Sequence, residues 1–359
     1  MPELSIPPEK ICILRLSALG DVTHVLPVVR AIEQQWPHAE ITWICGAFEY
    51  KLLKTIKNIR FITFNKKAGV KAYFELWKKL KHTHFDVLLQ MQVAARANIA
   101  SLGIKANIRL GWDKSRSRDL HSLFISRRVA QVTHQHQVQG FLSFAKSLGL
   151  SVDEPIWDIP VTADAQAFAD RYIEVEKPLL IISACSSHKL RNWMAERYAR
   201  FADYAISQYN MQVILSGGPA KIEVDMASEI SRHMQQTPLN LVGKDTLEQL
   251  VGLLGRAAVV VSPDSGPAHL ANALGVPVIG LYACTWSKRS GPYGSLGYCV
   301  DKFEQAAEKF LNSSAEDLRW GTKIEQPGVM EMITVEEVCQ QLDRLMLSSV
   351  SGEKSGHED

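Results

Sequence analysis

The sequence predicts an α/β protein of two parallel-sheet halves that face a central cleft. Three observations predict it. Short apolar runs alternate with segments of helical periodicity from residue 10 to about 145, and the alternation restarts near residue 179. A length of 359 residues suits two domains of ordinary size. Two polar glycine turns, one in each half, each follow an apolar run and lead into a helical pattern, which is where open α/β sheets gather ligands.

In the first half the strand-like runs are Ile11–Leu16, Ile41–Cys45, Arg60–Phe64, Val87–Met91 and Ile108–Gly111. They are short and apolar, as strands covered on both faces should be. Val25–Gln35 and Phe74–Lys81 carry helical spacing between them. Residues 151–162, with Pro155 and Pro160 and little periodicity, read as the linker. The second half offers Leu179–Cys185, Gln212–Ser216, Leu239–Val242, Ala257–Ser262 and Val276–Tyr282 as strands, with Gly217-Gly218-Pro219 marking a third strand-to-helix turn. An amphipathic helix, Val335–Leu347, precedes a polar tail, Ser351–Asp359, expected to be disordered. The domains are therefore 1–155 and 156–333, then a terminal helix 334–350 expected to pack back toward the first domain, and the tail 351–359.

Composition narrows the classes. Apolar residues make up 46% and mean hydropathy is near zero, as in a soluble globular chain. No run is long enough to span a bilayer, and the N-terminal residues lack a signal-peptide pattern. Cys12, Cys45, Cys185, Cys284, Cys299 and Cys339 are scattered without metal-ligand spacing, so they read as reduced thiols of a cytoplasmic protein and no zinc site is expected. The net charge of +2 conceals an asymmetry. Residues 51–135 hold 18 Lys and Arg against 4 Asp and Glu, while the rest of the chain holds 22 against 34. An anionic partner for one part of the molecule follows. A solvated surface accounts for Lys78, Lys79 and Lys81, but less well for Lys114, Arg116 and Arg118 or the pair Arg127-Arg128. Phosphorylated lipid headgroups fit this charge; no nucleic-acid motif accompanies it.

The two glycine turns carry the chemistry. In Ser262-Pro263-Asp264-Ser265-Gly266-Pro267-Ala268-His269, either Asp264 or Ser265 suits the N-cap and Pro267 suits the first helical turn. Gly266 admits a close ligand, and a helix N-terminus so built holds an anion such as phosphate. His269 adds a donor one turn in. The bland reading is an ordinary capped helix. In Arg15-Leu16-Ser17-Ala18-Leu19-Gly20-Asp21-Val22-Thr23-His24, Asp21 is either a cap for the helix that follows or an ionised carboxylate able to accept a proton in the cleft.

Together these turns, with Pro27 after the first and Gly275-Val276-Pro277 after the second, resemble the ADP-heptose:lipopolysaccharide heptosyltransferases, glycosyltransferase family nine. Arg109-Leu110-Gly111-Trp112-Asp113 and Arg116-Ser117-Arg118-Asp119 resemble the family's N-domain segments. Arg289-Ser290-Gly291-Pro292-Tyr293 and Pro327-Gly328-Val329-Met330 look closest to the heptosyltransferase I branch. The resemblance implies a GT-B-type fold of two Rossmann-like domains: an N-terminal acceptor-binding domain and a C-terminal ADP-sugar-binding domain. It implies inverting transfer of heptose from ADP-heptose to Kdo on lipid A, without metal or other cofactor, by a monomer peripherally associated with the cytoplasmic face of the inner membrane.

By the same resemblance Asp21 is the general base. Gly20, Asp264, Ser265, Gly266 and His269 bind the donor. The family's phosphate-binding cation falls on Arg191, where the family has Lys, with Lys189 nearby, and Glu223 is the candidate for the ribose. Arg96, Arg109, Arg116 and Arg118 are candidates for the anionic acceptor. His134 and His136 read as structural or solvated. Competing readings are the same fold with another nucleotide sugar or a later heptose acceptor, and a non-enzymatic protein binding anionic lipid surfaces. A dinucleotide oxidoreductase is disfavoured, because Gly20 lacks the companion glycines of G-x-G-x-x-G.

Overall fold

The computed structural model describes residues 6–353, with side chains through residue 348. The chain divides into two compact units, with the boundary between Pro160 and Val161. Pro160, one of the two prolines of the expected linker, closes the first unit.

The first unit holds a six-stranded sheet of β1 (Lys10–Leu14), β2 (Glu40–Gly46), β3 (Ile59–Phe64), β4 (His84–Gln90), β5 (Lys105–Gly111) and β6 (Arg127–Arg128). The second holds β7 (Leu179–Ile182), β8 (Gln212–Leu215), β9 (Leu239–Asn240), β10 (Val259–Pro263), β11 (Val278–Tyr282) and β12 (Val300–Asp301). The spatial orders are β3-β2-β1-β4-β5-β6 and β12-β11-β10-β7-β8-β9, and every pairing is parallel. Counted from its own first strand, each sheet runs 3-2-1-4-5-6, the doubly wound order. In such a sheet the chain changes direction between strands 1 and 4, and the crevice outside their carboxyl ends receives ligands. That crevice lies beyond β1 and β4 in the first unit and beyond β7 and β10 in the second.

The central strands are buried because helices cover both faces. Ile11, Cys12, Ile13 and Leu14 of β1 are fully buried, as are Ile181 of β7 and Val260 and Val261 of β10. The edge strands β6 and β12 are two residues long and were not expected. Arg127 and Arg128, read as a basic pair, form β6 and remain exposed. An edge strand needs only one neighbour and no buried side chain, so periodicity leaves it unmarked.

The first-unit helix Leu19–Gln35 starts earlier than its apolar spacing suggested, since Gly20, Asp21 and Thr23 carry no helical pattern. The helix Val335–Glu353 packs on the helix Ala195–Tyr209 and on β11 and β12, and Val338, Leu342 and Leu345 join the second unit's core. Tyr204 and Tyr209 also donate to Asp343. The helix runs on to Glu353, so the expected tail begins later than Ser351, and residues 354–359 lie outside those described. All six cysteines are free. Among the described residues no helix is long and apolar enough to cross a membrane.

Candidate active site

The first crevice is built from the turn after β1 and the loop after β4. Leu16 N–H donates to Gln92 Oε1 at 2.7 Å and Gln92 Nε2 to Ser17 Oγ at 3.3 Å, tying the two together. Arg15 enters the same crevice, donating to Met91 O at 2.7 Å and lying 5.2 Å from the Phe141 ring centroid. Asp21 occupies the third position of its helix. Its Oδ2 accepts from the Ala18 N–H at 3.1 Å and is ion-paired with Arg15. Its Oδ1 accepts from Gln137 Nε2. Asp21 thus serves the helix end from its third position, accepting from the N-cap residue Ala18, and is not the N-cap itself. An ionised carboxylate offers about four acceptor positions, however. Two are engaged on Oδ2 and one on Oδ1, leaving a lone pair of Oδ1 for an incoming hydroxyl. The side chain is 20% exposed. Gly20 lies one residue earlier, and its carbonyl accepts from Thr23 Oγ1.

Gln137 and Arg15 are the residues sequence reasoning left unassigned. Gln137 begins the helix Gln137–Ser147, which His136 caps by accepting from the Val138 N–H at 3.1 Å. A capping histidine is the structural role expected of His136.

The four acceptor-candidate arginines divide into two pairs. Arg109 is half-buried and donates to Phe124 O (2.7 Å), Ile104 O (2.8 Å) and Ser101 O (2.9 Å), so its guanidinium braces loops. Burial also pushes its pKa down. Arg116 is ion-paired with Asp113, donates to Gln135 and Ala130, and stacks 4.6 Å from the Trp112 centroid. Burial opposes ionisation of Asp113, but Ser115 and Arg116 outweigh it and hold the carboxyl below its usual range. Both guanidinium groups thus donate to protein acceptors, Arg109 to three carbonyls and Arg116 to Asp113, Gln135 and Ala130. Arg96 and Arg118 are exposed and make no side-chain ion pair among the described residues. The structure brings them together. Asp119, next to Arg118, accepts from the Ala95 N–H at 2.9 Å, and Asn98 Nδ2 donates to Asp119 O at 2.8 Å. His121 locks that loop, its Nδ1 meeting Asn98 Oδ1 at 3.0 Å and its Nε2 accepting from the Trp112 N–H at 3.2 Å.

The second crevice lies beyond β7 and β10. Ser262 Oγ donates to Ser183 O at 2.9 Å and joins Ser265 Oγ at 2.7 Å. Ser265 is the N-cap of the helix Gly266–Ala273, with Pro267 in the first turn. Its hydroxyl does not cap the helix but turns to Ser262. The first-turn N–H groups, which no helix can satisfy internally, therefore take no bond from that hydroxyl. Asp264 Oδ1 lies 3.5 Å from His269 Nε2, and Ser290 Oγ donates to Oδ2 at 3.3 Å. Burial would raise the Asp264 pKa, but His269, Thr285 and Arg191 prevail and hold it below the usual range. Asp264 and His269 thus form a close pair at the start of this helix.

Arg191 is bound by Glu325, with Nε donating to Oε1 at 2.7 Å and a second guanidinium nitrogen meeting the same oxygen. Burial alone would raise the Glu325 pKa; Arg191 brings it down. Lys189 is exposed. A third cation, Lys323, went unnoticed in the sequence. Ile324 anchors its segment, with its N–H donating to Cys284 O at 2.8 Å and its side chain buried. Lys323 and Glu325 flank that anchor. The Lys323 ammonium lies within electrostatic reach of Arg191, Glu325, Asp264 and Arg289, and burial followed by Arg191 pushes its pKa down. It makes no hydrogen bond or ion pair among the described residues. No local pattern marks Lys323, because 132 positions separate it from Arg191. Glu223 accepts from the Gly218 N–H at 2.6 Å, which places its carboxylate at the mouth of the turn after β8. Among the described residues no three His, Cys, Asp or Glu side chains cluster as metal ligands.

The sequence profile of glycosyltransferase family 9 (heptosyltransferase) matches residues 73–318. The chain belongs to this family. The lipopolysaccharide core heptosyltransferase OpsX of Haemophilus influenzae is 42% identical over 347 residues, covering 97% of this chain and all of the relative. Family 9 membership makes the protein a glycosyltransferase, a heptosyltransferase of the lipopolysaccharide core. Solved structures share the GT-B-like fold. A family 9 glycosyltransferase from Veillonella parvula superposes with a TM-score of 0.78 at 20% identity, covering 95% of this chain and 97% of its own. The Escherichia coli heptosyltransferase WaaC with ADP superposes with a TM-score of 0.71 at 20% identity, covering 94% and 99%.

Proposed function

We propose that this heptosyltransferase moves L-glycero-D-manno-heptose from ADP-heptose to a Kdo residue of the lipopolysaccharide inner core, with Kdo-lipid A as acceptor, at the cytoplasmic face of the inner membrane. Transfer inverts the anomeric carbon and needs no metal. The observation that carries the reading is the Asp21 carboxylate, braced by Ala18, Arg15 and Gln137 and still offering a lone pair on Oδ1. An acceptor hydroxyl donates to that lone pair, loses its proton to Asp21 as it attacks the anomeric carbon, and the bond from that carbon to the diphosphate oxygen breaks. Proton transfer to a positioned carboxylate contributes on the order of 10²–10⁴-fold.

The departing ADP carries the electron pair of the broken bond. The N-terminus of the helix Gly266–Ala273, Lys323, Arg191 and His269 are the groups that meet that charge. Arg96 and Arg118 meet the phosphates and carboxylates of the acceptor. Glu223 accepts from the ribose. ADP in the WaaC structure and the heptosyltransferase names of the relatives support an ADP-linked heptose donor.

The test is ADP release from ADP-heptose with Kdo-lipid A, followed by mass spectrometry of the lipid product. A single heptose added to Kdo, with competition by ADP and not by UDP, is the expected result. Transfer only to an acceptor that already carries heptose, or from a UDP-sugar, would overturn the assignment.

A further inference from the structure

One face of the first unit is both apolar and basic. The helix Lys71–Leu80 buries Ala72, Leu76 and Leu80 and turns Lys71, Phe74, Glu75, Lys78 and Lys79 outward. Val70, just before the helix, is 70% exposed and Phe74 is 62% exposed. Trp77 stands edge-on to Phe74 at 5.6 Å and donates to Ala100 O at 3.0 Å. Its indole fills the space beside Gly103, where a Cβ would fall 2.0 Å from the ring. Trp77 therefore joins the helix to the turn that carries Leu102, itself 63% exposed. Val70 and Phe74, one helical turn apart, form an apolar ridge that Trp77 ties to the turn exposing Leu102, and a merely solvated helix would not require it.

Around the ridge stand Lys66, Lys67, Lys71, Lys78, Lys79 and Lys81, all exposed. The one acid of this stretch, Glu75, pairs with Lys71 at 3.8 Å, and the other five lysines have no ion pair among the described residues. Apolar side chains ringed by an excess of lysines match an anionic bilayer surface, where the ridge enters the headgroup boundary and the ammonium groups stay at the phosphates. An acidic protein surface would match the lysines but leave the projecting Val70, Phe74 and Leu102 without a fluid apolar layer to enter. The helix Ala95–Ser101 also connects this face to the candidate acceptor cations, since Arg96 lies in its first turn and Leu102 just past its last.

We infer that the face formed by Val70, Phe74, Leu102 and the surrounding lysines is the surface by which this protein docks on an anionic phospholipid membrane. It rests on the proposed function only for its purpose, which is to bring the enzyme to a lipid-borne acceptor. Attraction of a lysine to such a surface is worth about 1 kcal/mol, a factor of about five.

The experiment is flotation of the full chain with phosphatidylcholine vesicles, with and without phosphatidylglycerol, none containing lipopolysaccharide. Binding only to the phosphatidylglycerol vesicles is expected, and it should weaken as salt rises. Lys78→Gln with Lys79→Gln should lower that binding about 25-fold, and Phe74→Ser should lower it while leaving all lysines in place. Thermal melting and ADP binding should stay at wild-type values in these variants, separating lost docking from lost folding. Equal binding to both vesicle types, or unchanged binding by the variants, would overturn the inference. So would loss of RNA or protein capture in the variants with vesicle binding intact. Transfer to detergent-dispersed acceptor is read separately: failure there strikes the proposed function and leaves the docking surface standing.

Discussion

Replacing Asp21 by Asn separates a base from a brace. The carboxylate has structural partners in the Ala18 N–H, Arg15 and Gln137, so a loss of activity alone would not distinguish chemistry from folding. Asn is the right perturbation. Its carbonyl can still accept from Ala18 and Arg15, and Gln137 can turn its own carbonyl toward the new amide. What the amide cannot do is take a proton from an acceptor hydroxyl. Arg15 and Asp21 are only 12% and 20% exposed, so weakening their pair should cost about 1–3 kcal/mol of stability. Loss of the base should lower kcat by on the order of 10²–10⁴-fold. The two effects are read in different assays: melting for the first, ADP release at saturating substrates and a temperature well below the melt for the second. Gln137→Leu is the companion variant, which keeps the carboxylate but loosens its aim, and should lower kcat by about ten-fold with KM for donor unchanged. A folded Asp21→Asn enzyme within ten-fold of wild-type kcat would refute the reasoning and leave Asp21 a helix cap with an ion pair.

Three further outcomes are expected. Lys323→Met should weaken ADP binding by about 10- to 100-fold in calorimetry, the value of one charge-assisted contact, whereas Lys189→Met should change it little. Arg109→Met should lower the melting temperature because three carbonyls lose their donor, with kcat/KM of the folded fraction near wild type; Arg96→Ala and Arg118→Ala should do the reverse, raising KM for acceptor without moving the melt. The third concerns acid. Burial first, and Arg128 second, push the His121 pKa down to about 4 from 6.5. The folded state then binds fewer protons than the unfolded chain between those values, so the stability is fully present above pH 6.5 and is lost as pH falls toward 4. The loss is about 3 kcal/mol, and His121→Gln should remove this component from a pH series of denaturant melts.

Much of the molecule was legible in the chain. The central strands announced themselves because the covered part of a parallel strand must be apolar, as Ile11–Leu14 of β1, Leu179–Ile182 of β7 and Val259–Val261 of β10 are. The edges β6 and β12 did not, since a two-residue edge strand has no such requirement. Asp21, Asp264 and His269 were legible because each sits in a turn whose residues are neighbours in sequence. Ser265, one of the two N-cap candidates, is the N-cap, yet its hydroxyl turned to Ser262 instead of capping the helix, a choice made by a neighbour on the preceding strand. Arg109 and Arg116 looked like free cations because sequence records charge and not the carbonyls or the Asp113 carboxylate that a fold brings against it.

The sequence by itself determined the two α/β halves, the order in which their strands appear and the two glycine turns that carry a carboxylate and a helix N-terminus. These follow from local rules, the periodicity of apolar residues and the conformational needs of turns, which act over a few positions. Only the tertiary structure decided that Gln137 and Arg15 hold the Asp21 carboxylate, that Glu325 holds Arg191 while Lys323 has no ion pair among the described residues, and that Arg109 and Arg116 donate to protein acceptors. Those outcomes depend on which distant side chains share a crevice, and hydrogen bonds and ion pairs act over a few ångströms of space however far apart their residues lie along the chain.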